Sequence, residues 1–129
     1  MSINHEIRNK RPTSPHLSIY KPQINSTMSI FHRFTGIGIF VGFSILVWWM
    51  ICWIFSKFDQ EIFNFINCGL VKLCLYAVIV AFFYHMLNGI RHLFWDIGKG
   101  FSICALMKTS YMVLGGTILL SILFFWTIY

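Results

Sequence analysis

The stretch Tyr84-His-Met-Leu-Asn-Gly-Ile-Arg-His-Leu-Phe-Trp-Asp96 closes a long apolar run and places two histidines, an arginine and an aspartate at its end. The preceding residues 73–83 carry no charged side chain, so His85 lies inside the run. In a membrane helix an ionisable residue at that depth is energetically expensive, which makes it a candidate functional residue. Gly89 and His92 follow His85 at i+4 and i+7 and are predicted to share its helical face.

The glycine one turn after His85 has two interpretations. A residue without a side chain leaves a flat gap beside the imidazole, and a haem bound edge-on to a helix bundle requires such a gap. Alternatively, Gly89 only permits close helix packing, and His85 hydrogen-bonds a neighbouring helix. The residues of this stretch leave both interpretations open.

The composition is that of a membrane protein. Of the 129 residues, 57% are hydrophobic and only 11% are charged, whereas roughly a quarter of the residues of a soluble domain are charged. Three long apolar runs, at 34–55, 73–90 and 109–129, each approach the roughly 20 residues that a spanning helix needs. The four cysteines form no CxxC motif and are expected to be apolar filler rather than a disulfide or metal framework.

We therefore predict an all-α membrane protein with three transmembrane helices. Asn25–Thr27 supplies N-cap residues for a first helix that begins near Met28. The predicted domains are a basic arm at 1–27 on the inner membrane face and a three-helix domain at 28–129, with helices at about 28–56, 65–96 and 104–128.

The basic residues indicate an orientation rather than a nucleic-acid surface, although the net charge is +6. Residues 1–33 and 91–108 together contain eight lysines and arginines, against two in residues 56–72. By the positive-inside rule, the N-terminus lies on the cytoplasmic or matrix side and the C-terminus on the opposite side.

The first helix carries a polar stripe near its inner end. Ser29, His32, Arg33 and Gly36 are spaced i, i+3, i+4 and i+7, so they share one helical face. The stripe supplies hydrogen-bond donors to a protein or ligand interior. A lone interfacial arginine more commonly snorkels to the headgroups, and that interpretation of Arg33 also stands.

The remaining signals concern packing. Gly38 and Gly42 form a small-xxx-small pair that predicts close helix approach. Gly98 and Gly100 are expected to end the second helix. His92 and Asp96, at i and i+4, are spaced to bond each other, although an interfacial polar cap is the preferred interpretation of Asp96. The third span carries no ionisable side chain other than tyrosine over residues 111–129 and is interpreted as a packing scaffold.

Three motifs together carry a family resemblance. They are Arg11-Pro-Thr-Ser-Pro-His-Leu-Ser-Ile-Tyr20, Ser29-Ile-Phe-His-Arg-Phe-Thr-Gly36 and His85-x-x-x-Gly-x-Arg-His-x-x-x-Asp96. In this order and spacing they resemble the cytochrome b membrane anchors of succinate dehydrogenase, respiratory complex II. The resemblance covers almost the whole chain.

The resemblance implies that this chain is half of a heterodimeric haem-binding bundle. With a second small anchor subunit it would hold an iron–sulfur subunit and a flavoprotein subunit on the membrane. It implies one haem b between the two anchors, with His85 as this chain's axial ligand to the haem iron. His32 and Arg33 match positions near the haem propionates.

The resemblance also implies a site at which ubiquinone accepts the electrons from succinate, with Ser29 and Arg33 as this chain's contributions. The chain itself carries no succinate-oxidising site. The implied location is a bacterial cytoplasmic membrane or a mitochondrial inner membrane. Two alternatives remain: the anchor of a related fumarate reductase, and a haem-free subunit in which Arg33, His85 and His92 line a proton or ion path.

Overall fold

The computed structural model of the chain describes residues 21–55, 64 and 67–128. Within these residues it consists of three α-helices and no strand: α1 (Ile24–Phe55), α2 (Gly69–Asp96) and α3 (Ile103–Ile128). This confirms the prediction of an all-α protein with three long apolar helices. The interpretation of residues 1–20 as part of an inner-face arm lies outside the described residues.

Each helix is long and apolar enough to cross a membrane. Helix α1 has 32 residues, α2 has 28 and α3 has 26. At 1.5 Å per residue these correspond to about 48, 42 and 39 Å, against a hydrocarbon thickness of about 30 Å. Each helix is therefore longer than the hydrocarbon layer is thick.

Helix α1 begins at Ile24 rather than near Met28. The Gln23 carbonyl accepts the backbone N–H of Thr27 at 3.0 Å and the hydroxyls of Ser26 and Thr27 at 2.9 and 3.1 Å. The polar residues that predicted a cap are thus already helical. Their side chains bond backward to Gln23 or, for Asn25, across the bundle.

The C-terminus of α2 is where the glycines predicted it. Gly98 has φ +80°, in the left-handed region that glycine adopts without a side-chain clash. Its N–H donates to the Trp95 carbonyl at 2.8 Å, and the N–H of Lys99 donates to the Phe94 carbonyl at 3.1 Å. This pair of bonds is a Schellman motif, which satisfies the last carbonyls of the helix.

Helix α2 packs against both α1 and α3. A Cβ built on Gly42 of α1 would lie 3.0 Å from Val78, and one built on Gly116 of α3 would lie 2.9 Å from Leu87. Both glycines therefore allow close approach to α2. Of the predicted Gly38–Gly42 packing pair, Gly42 meets a helix of this chain, whereas no described residue lies within 4 Å of a Cβ at Gly38, and its role in packing stays a prediction.

The interior of the bundle is unusually polar. Among the described residues, only Met28, Tyr84 and Val113 are buried hydrophobics. The buried polar or charged residues are more numerous: Asn88, Arg91, Ser110, Thr117 and Ser121. Large apolar side chains face outward along all three helices, with Phe40 74% exposed. This distribution suits a lipid environment, in which helices associate through small and polar residues.

Candidate functional site

His85 lies on the face of α2 that meets α1. Its Nδ1 is 3.0 Å from the carbonyl oxygen of His32 and 3.3 Å from Oγ1 of Thr35. Because a carbonyl only accepts hydrogen bonds, its contact favours the tautomer in which Nδ1 carries the proton. The Nε2 lone pair is then free, and Nε2 makes no hydrogen bond to a described residue.

His32 joins His85 through its ring as well as its carbonyl. The two imidazoles are stacked, with centroids 3.9 Å apart and planes 7° from parallel. The His92 ring is 5.2 Å from the His32 ring, and it also packs edge-on against Trp95 at 4.8 Å. We call His32, His85 and His92 the histidine cluster. In this cluster, α1 and α2 bring His32 and His85 into direct contact.

Two glycines border the histidine cluster, and their roles differ from the prediction. A Cβ on Gly36 would lie 3.0 Å from Cε1 of His85, whereas a Cβ on Gly89 would lie 3.8 Å from Cε1 of His32. Helical side chains lean toward the N-terminus of their helix, so His85 leans away from Gly89. The glycine that packs on His85 is therefore Gly36, and the predicted gap at Gly89 stays a prediction.

The polar stripe of α1 is not a single contact surface. His32 turns toward α2, while Ser29 is half-buried and Arg33 is exposed. Neither Ser29 nor Arg33 makes a hydrogen bond or ion pair with any residue that the structure describes. The fold thus brings His32 to His85 and leaves Ser29 and Arg33, one turn apart, without a partner inside the described part of the chain.

Arg91 lies deeper in the bundle than its place in the sequence predicts. The sequence puts Arg91 in the second helix and counts it among the inner-side charges, but the structure buries it, with only 4% of its surface exposed. Its guanidinium donates to acceptors on all three helices. One signal in the sequence indicates this face: Tyr84, Asn88 and Arg91 are spaced i, i+4 and i+7, and all three are buried.

The proposed bond between His92 and Asp96 does not form. His92 packs against aromatic rings instead, and Asp96 is exposed without an ion pair to a described residue. Just before the span interpreted as a packing scaffold, Thr109 of α3 accepts a hydrogen bond from Arg91, and the Ser110 hydroxyl lies 3.0 Å from Oδ1 of Asn25.

The histidine cluster suits a haem better than a bare metal ion. Within the described residues, no three His, Cys, Asp or Glu side chains converge to hold a metal ion. A haem iron takes its equatorial ligands from the porphyrin and needs only axial side chains. His85 fits that requirement, because its Nδ1 is held by a backbone carbonyl in the manner of metal-ligating histidines. The buried Nδ1 of His32 has no hydrogen-bond partner among the described residues, so a polar atom remains for a bound group.

Fold and site together define a three-span membrane protein with paired histidines between its first two helices. Residues 7–124 match the model of the family described as "Succinate dehydrogenase/Fumarate reductase transmembrane subunit". The chain therefore belongs to the family of succinate dehydrogenase cytochrome b membrane-anchor subunits. As a member of it, the chain is part of an oxidoreductase complex.

Individual relatives agree with the family match. The chain is 58% identical over 118 residues to the succinate dehydrogenase cytochrome b556 subunit of Rickettsia felis, covering 92% of this chain and 93% of the relative. It is 32% identical over 117 residues to the cytochrome b556 subunit of Paracoccus denitrificans, covering 90% of each. It is 36% identical over 122 residues to the mitochondrial cytochrome b560 subunit of Homo sapiens, covering 92% of this chain and 72% of the relative.

Proposed function

We propose that this chain binds one haem b together with a second small anchor subunit and forms part of the site at which ubiquinone is reduced with electrons from succinate. The observation that carries the proposal is the contact of His85 with α1: its Nδ1 lies 3.0 Å from the His32 carbonyl oxygen, and its Nε2 is left without a described partner. The cytochrome b names of the relatives support a haem. Those relatives are named for succinate dehydrogenase, which favours succinate oxidation over fumarate reduction.

His85 is the residue proposed to ligate the iron, and the second axial histidine is assigned to the partner anchor. His32 is an unsuitable second ligand because its ring lies parallel to the His85 ring at 3.9 Å, on the same side of any iron bound at Nε2 of His85. A haem with histidine on both sides has no open coordination position, so when bound it supplies one-electron transfer.

His32 and Arg33 are the residues proposed to meet the haem propionates. The buried His32 Nδ1 lacks a partner among the described residues, and so does the Arg33 guanidinium. A carboxylate inside a membrane needs a cation or donor beside it, and a guanidinium offers two parallel N–H groups to its oxygens. Supplying these donors is what this chain would do to keep the charged groups of the haem at this depth.

Ser29 and Arg33 are the residues proposed to bind the quinone. A quinone carbonyl requires hydrogen-bond donors, and a serine hydroxyl and a guanidinium both supply them. The two residues lie one turn apart near the inner end of α1, where the remaining surface is apolar: Ile30 and Phe34 are 51% and 65% exposed. A site at that level has access to protons from the inner aqueous phase, which quinone reduction consumes.

The exposed apolar surface of the three helices also supports the proposed assembly with the other subunits. The outward-facing apolar side chains provide area for lipid and for the second anchor subunit. The inner ends of the helices would face the iron–sulfur subunit, which in turn carries the flavoprotein subunit. The charge pattern places these inner ends, and the N-terminus, on the cytoplasmic or matrix side of the inner membrane.

The proposal is tested on the purified complex by counting haem per chain and measuring succinate-dependent reduction of a short-chain ubiquinone. The expected result is one low-spin b-type haem for each copy of this chain, with quinone reduction sensitive to a competitive quinone-site inhibitor. A pure complex without haem, or a haem retained when this chain is absent, would contradict the haem assignment. It would leave the ion-path alternative in its place.

A further inference from the structure

The guanidinium of Arg91 joins all three helices at their inner ends. Its Nε donates to Oγ1 of Thr109 at 3.1 Å, and its Nη1 donates to Oδ1 of Asn88 at 3.4 Å. Its Nη2 donates to Oδ1 of Asn25 and to the carbonyl of Leu106 at 3.4 Å. The acceptors therefore come from α1, α2 and α3. We call Arg91 with these acceptors the arginine junction.

Side chains of α2 and α3 contact the first turns of α1 at two residues. The first is Asn25, whose Oδ1 accepts from Arg91 and lies 3.0 Å from the Ser110 hydroxyl, which is also 2.7 Å from the Leu106 carbonyl. The second is Met28, whose sulfur lies 3.7 Å from Nη1 of Arg91 and whose carbonyl accepts the Tyr84 hydroxyl at 2.8 Å. The start of α1 is thus fixed by side chains of both other helices.

These two points of attachment adjoin the residues proposed to bind quinone. Ser29 follows Met28 directly and lies one helical turn after Asn25, and Arg33 lies one turn further along. The hydrogen bonds of Arg91 reach none of Ser29, Arg33 and His85. The protein contacts of Arg91 therefore connect it to Ser29 and Arg33 only through Asn25 and Met28 of α1.

Arginine is the side chain that this junction requires. Every acceptor is neutral, and no carboxylate pairs with Arg91 within the described residues. The planar guanidinium presents five N–H donors in a fixed fork and can meet acceptors on three helices at once. The centroid of the Trp95 ring lies 4.3 Å from Cζ of Arg91, so the guanidinium also packs on the face of this ring. Lysine would keep the charge but not the fork.

We propose that Arg91 is a positioning residue for quinone reduction, acting through Asn25 and Met28 to hold Ser29 and Arg33 in place. The inference rests on the proposed quinone site. The inference gives the two parts of the α1–α2 contact different roles. The arginine junction sets the geometry of the residues proposed to bind quinone. The His32 carbonyl and Gly36 set the geometry of His85.

The test compares Asn25→Ala and Arg91→Lys with two matched controls in the assembled complex. Asn25→Asp keeps an oxygen acceptor of the same shape for Arg91 and Ser110. Ser26→Ala removes a neighbouring hydroxyl that bonds only the Gln23 carbonyl of its own turn, at 2.9 Å. The measurements are KM and kcat for a short-chain ubiquinone, succinate–dye activity and the reduced-minus-oxidised haem spectrum.

Asn25→Ala and Arg91→Lys are expected to raise the quinone KM by roughly three- to tenfold, since each removes at least one hydrogen bond from the junction. Asn25→Asp and Ser26→Ala are expected to keep the wild-type KM. Dye activity and the haem spectrum should be unchanged in all four. A role in general stability would not give this pattern, because loss of assembled complex lowers all activities together.

Two results would overturn the inference. One is an Asn25→Ala complex with the same quinone KM as Ser26→Ala, and the other is a parallel loss of haem, dye activity and quinone activity in Asn25→Ala. If the complex with Arg91→Lys does not assemble, the comparison of Asn25→Ala with Asn25→Asp still tests the inference. Ser29→Ala in the same assay distinguishes failure of the quinone site from failure of this inference. An unchanged quinone KM in Ser29→Ala overturns both. A raised quinone KM in Ser29→Ala with an unchanged KM in Asn25→Ala overturns the inference alone.

Discussion

Replacing Gly36 by alanine is expected to weaken the haem site, and Gly38→Ala provides the matched control. A Cβ on Gly36 would lie 3.0 Å from Cε1 of His85, whereas ordinary contact begins at 3.4 Å. The imidazole must therefore retreat by about 0.4 Å, the difference between these two distances. That displacement also strains the 3.0 Å bond from Nδ1 of His85 to the His32 carbonyl, which fixes the tautomer.

The magnitude follows from the cost of overpacking a closely packed contact, typically about 1–3 kcal/mol. The haem-free ring can turn away from the added methyl group, whereas a ring that ligates haem must keep this position, so the cost corresponds to about a five- to 150-fold loss of haem affinity. Gly38→Ala adds the same methyl group to the same helix, but nothing lies within 4 Å of its Cβ. Both changes gain the same helix propensity, about 1 kcal/mol, so their difference isolates the contact with His85.

The assay is haem retention in the purified complex, measured by titrating haem into depleted membranes and recording the low-spin b-type spectrum. Gly36→Ala should lose affinity and shift the spectrum, while Gly38→Ala should behave as wild type. Equal haem affinity in the two variants would refute the reasoning, because His85 would then not occupy this position against α1 when haem is bound.

Further predictions concern the quinone, helix packing and topology. Arg33→Lys should impair succinate–quinone activity but not succinate–dye activity, since lysine lacks the planar guanidinium fork. Ser29→Ala should weaken quinone binding by roughly 0.5–1.5 kcal/mol, the free energy of one hydrogen bond. Full quinone activity with unchanged inhibitor sensitivity in both would reduce the stripe to a packing or snorkelling feature. Gly116→Ala should give the complex a lower unfolding temperature than Gly115→Ala, because a Cβ on Gly116 would lie 2.9 Å from Cδ1 of Leu87, whereas nothing lies within 4 Å of a Cβ on Gly115. Equal temperatures would argue against this α2–α3 packing. In single-cysteine variants that retain exposed Cys68 or Cys104, a membrane-impermeant maleimide added outside should label Cys68 only, and the reverse pattern would invert the orientation.

The three spans were predictable because length and hydropathy are local properties of the chain. The start of α1 was less so, since Gln23 supplies its backbone carbonyl to the first turn and Asn25 points across the bundle rather than capping the helix. Only the neighbouring helices decide between those two uses of an asparagine.

The site was predictable in its residues but not in its contacts. The position of each residue in its helix indicated that Arg33 and His85 would lie at compatible depths, but not that His32 would stack on His85. Which glycine borders His85 depends on the direction in which helical side chains lean, and that selects Gly36 rather than Gly89.

Arg91 shows the limit of inferring a charge's surroundings from its position in the sequence. An arginine near the end of a spanning helix is usually a snorkelling residue that marks the inner side. Here neutral acceptors on all three helices keep it buried, and those on α1 and α3 are far from it in sequence. The spacing of Tyr84, Asn88 and Arg91 indicated a polar face, but not what would cover it.

The central claim, that His85 ligates the haem iron, is tested most directly by the dithionite-reduced minus oxidised spectrum of purified complex carrying His85→Leu, recorded beside His92→Ala. His85→Leu should lose or strongly perturb the low-spin b-type signal. Among the described histidines, only His85 has a ring nitrogen against a backbone carbonyl and its other nitrogen without a hydrogen bond. His92→Ala should largely retain the signal, since His92 contacts the histidine cluster only through ring packing. An unchanged spectrum and haem content in His85→Leu would contradict the account.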